Sequence, residues 1–265
     1  PWAPAGVAER LLRAALQRGG GDLLRLQGLR RDAALVAALE AVASARGLRQ
    51  LALEEGEWLP WLELPADFEA LLAGHSPNFR AEVRRRRRAF LRRVPQARVE
   101  CAQSASAVSA ALEHLFRLHN LRRQQKNGCG VFESQRLRGF HRAAAAKLAA
   151  SGQARVYLLR THGEVLAALY GFQAEQRFLY FQSGFDPACA ELSPGTVMLS
   201  AVIEDSIQRG LTSFEFLRGD EGYKSRWTSS RRRNLNALGG RSLAGTAFLR
   251  LRAHWIARTR VEVAA

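Results

Sequence analysis

Three apolar runs, "ARVYLLRT", "EVLAALYGFQ" and "RFLYFQSGF", follow one another between residues 154 and 185, separated only by "HG" and "AEQ". Runs this short, rich in Val, Leu, Tyr and Phe and bounded by turn residues, specify strands. Gaps of two and three residues leave room only for hairpins. The next segment, "LSPGTVMLSAVIEDSIQRG", reads as a helix, with Ser193 at its N-cap, Pro194 at its first position and Gly210 as its stop. "LTSFEFL" then reads as one more strand. A meander, a crossover helix and a further strand require a mixed sheet with helices packed on it. Before the meander, "ARVECAQ" is a strand, followed by helices over 107–126 and 133–150. From residue 96 the expected order is therefore β-α-α-β-β-β-α-β-α-β, an α/β (α+β mixed sheet) fold. "RRRNLNAL" supplies the late strand, and a basic amphipathic helix over 243–261 closes the chain.

The front of the chain has fewer strands. A helix over 7–18 stops at "GGGD", and Leu23–Leu29 is a strand. Asp32 is placed to cap a helix running to Arg46, with Gly47 as its stop. "LRQLALEE" and "EWLPWLEL" read as two strands, the second interrupted by Pro60. Pro65 and Asp67 open a short helix that Gly74 closes. Ser76 and Pro77 open another that runs to about Arg93, before Pro95. Its middle holds five consecutive arginines, 84–88. Five charges in a row cover every face of a helix, so this segment is not deeply buried. Phe79, Val83, Phe90 and Leu91 mark its contact stripe. It reads as a surface connector between two domains, or as a helix facing phosphates. The expected division is a partial unit over 1–65, a basic helical connector over 66–95 and a complete unit over 96–265.

No window approaches eighteen uncharged apolar residues, so no membrane span is expected. "PWAPAGVAER" has neither the basic nor the apolar region of a signal peptide and no initiator Met, which suits a chain processed, trimmed or cut from a longer one. The three cysteines (Cys101, Cys129 and Cys189) are far apart and show no metal spacing. A reducing, cytoplasmic compartment and no metal are the expectation. Cys129 in "NGCGVF" has no evident His or Asp partner, His114 and His119 do not share a helix face, and "RGGGDL" lacks the Lys-Ser/Thr of a phosphate-binding loop. The net charge is +16. It suits either a solvated arginine-rich surface or attraction to an anion, and charge alone does not choose.

The segment "SPGTVML…AVIEDSIQRGLTSFEFLRGDEGYKSRW" resembles the signature of the GNAT acyltransferase superfamily in its Fem-related, BioF-type branch, which is associated with polysaccharide and cell-envelope biosynthesis. "YLLRTHGEVLAALYGF", "YFQSGFDPA", "LHNLRRQQKNG" and "ADFEALLAGHSPNFRAEVRRRRRAF" are similar to further pieces of that family, in the same order, over residues 64–238. The resemblance implies a GNAT-like fold with tandem units, the first truncated here. It also implies an acyltransferase moving an acetyl or other acyl group from acyl-CoA to an amine or a sugar hydroxyl by direct attack. The Gln/Arg-x-x-Gly-x-Gly/Ala loop of many such enzymes is absent. Aminoacyl-tRNA therefore stays open as the donor, reached through the basic helix 84–93, as does a non-catalytic module that binds an anionic polymer. The acceptor is a small molecule or a glycan precursor.

Chemistry assigns residues to these tasks. A helix N-terminus carries free N–H groups and a positive dipole end, so Ser193, Pro194, Gly195 and Thr196 are candidates for binding a pyrophosphate. The family places an oxyanion-binding backbone amide at a bulge in the fourth strand, which here is Gln182, Ser183 and Gly184. Glu215 is either a proton acceptor or a charge on the solvent face of the sheet. Asp220 lies just past the C-terminal edge of that strand. Lys224 resembles the family lysine that neutralises charge on the reacting carbonyl. Tyr223 either lines the cleft or gives a proton to the leaving group, as the tyrosine it resembles does in many GNAT enzymes. Arg122, Arg123 and Lys126 are either contacts to an anionic substrate or a solvated helix end.

Overall fold

The computed structural model describes residues 5–19, 21–45, 48–125, 130–219 and 221–252. Its elements are α1 (Ala5–Arg18), β1 (Leu23–Leu29), α2 (Ala34–Ser44), β2 (Gln50–Glu63), α3 (Phe68–Ala73), α4 (Pro77–Arg93), β3 (Arg98–Ala102), α5 (Ala105–Gln125), α6 (Gln135–Ala150), β4 (Ala154–Thr161), β5 (Glu164–Ala174), β6 (Arg177–Phe185), α7 (Pro194–Gln208), β7 (Ser213–Glu215) and β8 (Arg231–Gly240). Short 3-10 turns cover Val131–Glu133 and Pro187–Leu192, and residues 243–252 are helical. The rest of the closing helix expected over 243–261 lies outside the described residues.

The three apolar runs become the meander β4-β5-β6, antiparallel throughout. Their first turn is set by His162 and Gly163, at φ 33° and 89°. Positive φ at both central residues is the hairpin geometry that matches strand twist, and glycine adopts it without a Cβ clash. Helix α7 then carries the chain across to β7, which pairs with β6 in parallel. Strands β3 and β2 add antiparallel partners, so the order in this unit is β2-β7-β6-β5-β4-β3. The mixed α/β fold is thus as the sequence indicates.

The core explains why β4 and β5 are apolar almost continuously. Val156, Leu158, Val165 and Ala168 pack against α5 and α6 through Leu112, Leu115, Phe116 and Ala145. Tyr157, Leu159, Leu166 and Leu169 face the other way, into a layer that contains α7 residues Met198, Val202 and Ile203 and the α4 residues Val83 and Phe90. A sheet covered on both faces cannot alternate apolar with polar.

By contact density the chain divides into one unit of residues 60–230 and another of residues 1–59 with 231–265. This differs from the boundaries expected from sequence, for two reasons. β8 pairs with β1, Leu23 opposite Gly240, so the late strand joins the first unit. Helix α4 belongs to the second unit's core, because Val83 and Phe90 are almost wholly buried in it. The first unit has its own small core, with Leu12, Leu16, Leu39, Val42, Leu48 and Ala237.

Local expectations fared unevenly. Asp67 accepts from the Ala70 N–H at 2.7 Å and Ser76 from the Phe79 N–H at 3.3 Å, so both caps act as expected. Asp32 does not cap α2. The N-cap is Ala33, and the Asp32 carboxylate instead accepts from Arg30 at 2.9 Å. The two expected strands before residue 64 are one strand, β2, running through Pro60. Leu91 is 49% exposed and is not part of the contact stripe of α4.

Candidate active site

Strand β6 has two partners along its first residues and one thereafter. Arg177, Phe178 and Leu179 pair with Ser213, Phe214 and Glu215 of β7. Past Leu179 the strands separate. β6 continues to Phe185 along β5, from Gln182 opposite Tyr170 to Phe185 opposite Ala167. The other chain leaves the sheet: the Phe216 N–H donates to Pro60 O, Leu217 takes φ 54°, and residues 222–227 form turns. The parting strands leave a cavity of about 240 Å³.

Its walls come from four directions. β6 contributes Tyr180, Ser183, Gly184 and Phe185, and β5 contributes Ala167, Ala168 and Leu169. The first turns of α7 contribute residues 193–196, with Met198 and Leu199. Tyr223, Arg226 and Trp227 close the side opposite β6, and Phe79, Glu82, Val83 and Arg86 of α4 form the outer wall. Phe79 and Trp227 meet edge to face with centroids 5.1 Å apart, so the outer wall is aromatic.

At the start of α7, Ser193 adopts φ 56° and its hydroxyl makes no cap bond. Its carbonyl accepts from the Thr196 and Val197 N–H groups at 3.0 and 3.2 Å. Pro194 has no N–H. The Gly195 N–H has no acceptor among the described residues, and it faces the end of the helix where such groups lie open. A Cβ on Gly195 would lie 3.4 Å from the Phe185 ring, so the turn is snug but not sealed. Arg86 donates to the Thr196 hydroxyl at 3.2 Å, which brings a guanidinium to the positive end of the helix. A positive charge there is compatible with an anionic ligand between them.

The polar groups inside form a chain of hydroxyls. Tyr223 donates to the Tyr180 oxygen at 3.2 Å, and the Tyr180 and Ser183 hydroxyls share a further hydrogen bond. Burial pushes both phenols up, so both are neutral at physiological pH and hold their protons. Arg122 lies over the Phe185 ring, 4.6 Å from its centroid. Glu82 bridges Arg86, at 2.6 Å, and Arg226.

A sequence profile described as "Acetyltransferase (GNAT) domain" matches residues 77–225, from the start of α4 through Lys224 to the turn beside the cavity. The chain belongs to the GNAT acetyltransferase family. Three solved structures share its fold. FemX superposes with a TM-score of 0.63 at 11% identity, covering 93% of this chain and 79% of that one. The C-terminal domain of a protein described as a lysylphosphatidylglycerol synthetase from Agrobacterium fabrum gives 0.59 at 13%, covering 94% and 76%. L-PGS from Bacillus licheniformis gives 0.56 at 12%, covering 96% and 78%. No curated protein matches.

In this GNAT protein the cavity gathers Ser183, Gly184, Ser193, Pro194, Gly195, Thr196 and Tyr223 of the sequence candidates. The others lie elsewhere. Gln182 is on β6 but not on the cavity wall. The irregularity in β6 falls at Phe181, because Tyr180 opposes Gly171 while Gln182 opposes Tyr170. Gly184 serves a different purpose from a bulge: a Cβ there would lie 2.5 Å from the His119 backbone nitrogen, so the glycine lets α5 pack directly on the strand. Glu215 is 5% exposed between Leu179 and Trp61, which corrects its placement on a solvent face. It does not line the cavity.

Lys224 departs most from expectation. It is 4% exposed, and its ammonium donates to Arg218 O at 2.8 Å and lies 2.7 Å from the Glu221 carboxylate. Burial works to raise the Glu221 carboxyl, but the Lys224 hydrogen bond and the local charges outweigh it and hold it below its ordinary value. Lys224 therefore pins the loop that follows β7, rather than lining the cavity. Asp220, in that loop, lies outside the described residues, as do Lys126 and Cys129.

Sequence reasoning did not select Tyr180, Phe79, Glu82, Arg86, Arg226 or the cavity-lining role of Trp227. Strand alternation places Tyr180 on the same face as Phe178, but nothing local says that β7 stops short of it. Arg86 was one of five arginines, and which of them turns inward depends on how α4 packs. Burial pushes the Cys101 and Cys189 thiols up, away from nucleophilic use. Among the described residues no cluster of His, Cys, Asp and Glu could hold a metal ion, and no helix is long and apolar enough to cross a membrane.

Proposed function

We propose that the protein transfers an acyl group, acetyl in the simplest case, from acyl-CoA to the amine of a small molecule or glycan precursor, with a sugar hydroxyl as the alternative nucleophile. The reading keeps the chain with the Fem-related, BioF-type branch of the GNAT family that its segments resemble. The observation that carries the reading is the parting of β6 from β7 after Leu179, which opens a cavity onto the Gly195 N–H at the start of α7.

In this reading the residues 193–196 and Arg86 hold the diphosphate of the donor. The acyl carbonyl lies against the open half of β6, near Ser183 and Gly184, where backbone amides stabilise the developing oxyanion. Tyr223, kept protonated by burial, gives its proton to the departing thiolate, and the Tyr180 and Ser183 hydroxyls orient it. Donor and acceptor meet in one cleft, so no covalent enzyme intermediate is required. The acceptor attacks as the free amine; as the C–N bond forms and the C–S bond breaks, the proton shed by the nitrogen passes to Glu82, the carboxylate on the wall. Lys224 acts as a positioning residue through the loop it pins.

The assay is a direct one. Labelled acetyl-CoA, longer acyl-CoA and charged tRNA are offered to the full chain with a panel of amine and sugar acceptors. Turnover with acyl-CoA, together with a rise in melting temperature on adding CoA, is the expected result. Turnover with charged tRNA alone would replace the donor, and binding of anionic polymers with neither turnover nor a CoA shift would leave a non-catalytic module.

A further inference from the structure

We propose that His119 is a positioning residue for the transfer: its Nδ1–H holds the Ser183 carbonyl and so aims the Ser183 N–H at the acyl carbonyl. The proposal deepens the transferase reading above and rests on it. Hydrogen-bond parity along the open half of β6 sets the direction of each backbone group. The Asp186 N–H donates to Leu166 O at 2.8 Å, and the register runs without a break from Phe185 opposite Ala167 to Gln182 opposite Tyr170. In an antiparallel pair, residues that exchange hydrogen bonds alternate with residues that do not. Asp186, Gly184 and Gln182 therefore turn their backbone groups to β5. Phe185 and Ser183 turn theirs to the edge that β7 has left.

The Ser183 carbonyl at that edge is met by His119 of α5, whose Nδ1 lies 3.3 Å from it. The helix is held close at this point, because α5 rests directly on the strand at Gly184. The imidazole is 5% exposed and meets Phe132 edge to face with centroids 5.1 Å apart. Its Nε2 is buried and has no hydrogen-bond partner among the described residues. Burial pushes the pKa of the ring down, so it is neutral at physiological pH and carries a single N–H. The acceptor at Ser183 assigns that proton to Nδ1.

Both edge groups of Ser183 bear on a reacting carbonyl. Negative charge develops on the acyl oxygen as the nucleophile adds, and the Ser183 N–H is a donor on the open edge that receives it. The Ser183 C=O lies on the same edge and repels that oxygen unless a donor occupies it. Donation from His119 occupies it and fixes the plane of the peptide between residues 183 and 184, while the Ser183 hydroxyl is held by Tyr180. His119 does not line the cavity, so it acts through Ser183 and not on the substrate. An imidazole buried with one nitrogen unpaired costs stability that a phenylalanine in its place would not. The hydrogen bond to Ser183 is what the phenylalanine would lack.

The test compares the full chain with three variants. His119→Phe keeps a ring but no donor, His119→Asn carries an amide that can stand where Nδ1 is, and His119→Gln carries one that reaches towards Nε2. Kinetics with acetyl-CoA, calorimetric binding of coenzyme A, which has no acyl carbonyl, and melting temperature are measured for each. His119→Phe is expected to lower kcat by about 10-fold or more, with KM and coenzyme A affinity unchanged, as loss of an aid to the transition state alone requires. His119→Asn should recover most of that kcat and His119→Gln should not. Nitrogen-15 shifts of the parent should show the neutral Nδ1–H tautomer at His119. Should His119→Phe melt well below the parent, the Asn and Gln variants, alike in polarity, decide. Full kcat in a folded His119→Phe, equal kcat in the Asn and Gln variants, or the Nε2–H tautomer in the parent would each overturn the inference and leave the acyl-CoA reading standing. A parent that transfers from acyl-CoA to no acceptor would overturn the reading itself, and the role of His119 with it.

Discussion

The two halves of β6 belong to one continuous strand and have opposite uses. Residues 177–179 are hydrogen-bonded on both sides, and Phe178 stacks on Phe214 with centroids 5.0 Å apart. Residues 180–185 have β5 as their one strand partner among the described residues, and Tyr180, Ser183, Gly184 and Phe185 line the cavity. In the first half the strand builds core. In the second, side chains and backbone groups that a neighbouring strand would have covered are available to a substrate. The reactive surface here arises from an interrupted pairing, not from an unusual residue.

If that contrast is right, damage to the open half harms catalysis and damage to the closed half harms only stability. The largest effect is expected from Gly184→Val. Its Cβ would press on the α5 backbone, at a cost of roughly 1–3 kcal/mol for overpacking, and it would displace the open half, so activity and melting temperature should fall together. Retention of full activity by this variant would break the comparison. Tyr223→Phe should lower kcat by about 10²-fold, within the range for a general acid, with little change in stability. An unchanged kcat would remove Tyr223 from the proton path.

Lys224→Met tests the loop that forms the far side of the opening. It leaves the Arg218 carbonyl and Glu221 without their cation, and it should lower kcat by about 10-fold with a measurable rise in KM, because the loop carries Tyr223 to the cavity. A loss confined to kcat, with the loop unmoved in a crystal structure, would return Lys224 to a direct chemical role. Acid should mimic the same change more mildly. The folded Glu221 carboxyl titrates below its ordinary value of 4.5, so its contribution is complete above that pH and is lost as pH falls through the lower, folded value. Loop protection in hydrogen exchange should therefore decline only below about pH 4.5. The smallest effect on activity is expected from Phe178→Leu, in the closed half: a stability loss of about 1–2 kcal/mol with kcat per folded molecule unchanged.

How much of this was legible beforehand depended on the range of the forces involved. The hairpin turn at His162 and Gly163, the caps at Asp67 and Ser76 and the start of α7 at Pro194 are set by residues within a few positions of one another, and these were read correctly. Asp32 failed as a cap because its own neighbour Arg30 offers a charged donor, a competitor that cap preference does not weigh. The merging of two expected strands into β2 shows pairing overriding a proline: Trp61, Leu62 and Glu63 pair with β7, and the Pro60 carbonyl still accepts from the Phe216 N–H. In the site, Tyr223 and Lys224 are adjacent and were assigned similar duties, yet one lines the cavity and the other faces the loop's own carbonyls.

The meander of β4, β5 and β6, the mixed sheet and the start of α7 at Pro194 were determined by the amino-acid sequence alone, because periodicity and turn chemistry act over a few residues; the helix expected between β7 and β8 is instead a run of turns over 222–227. Tertiary structure alone decided where β6 and β7 part, which arginine of α4 lines the cavity, and that Lys224 is spent on a loop. Each of those outcomes depends on contacts between residues far apart in the chain, and no local pattern encodes which partners will be there.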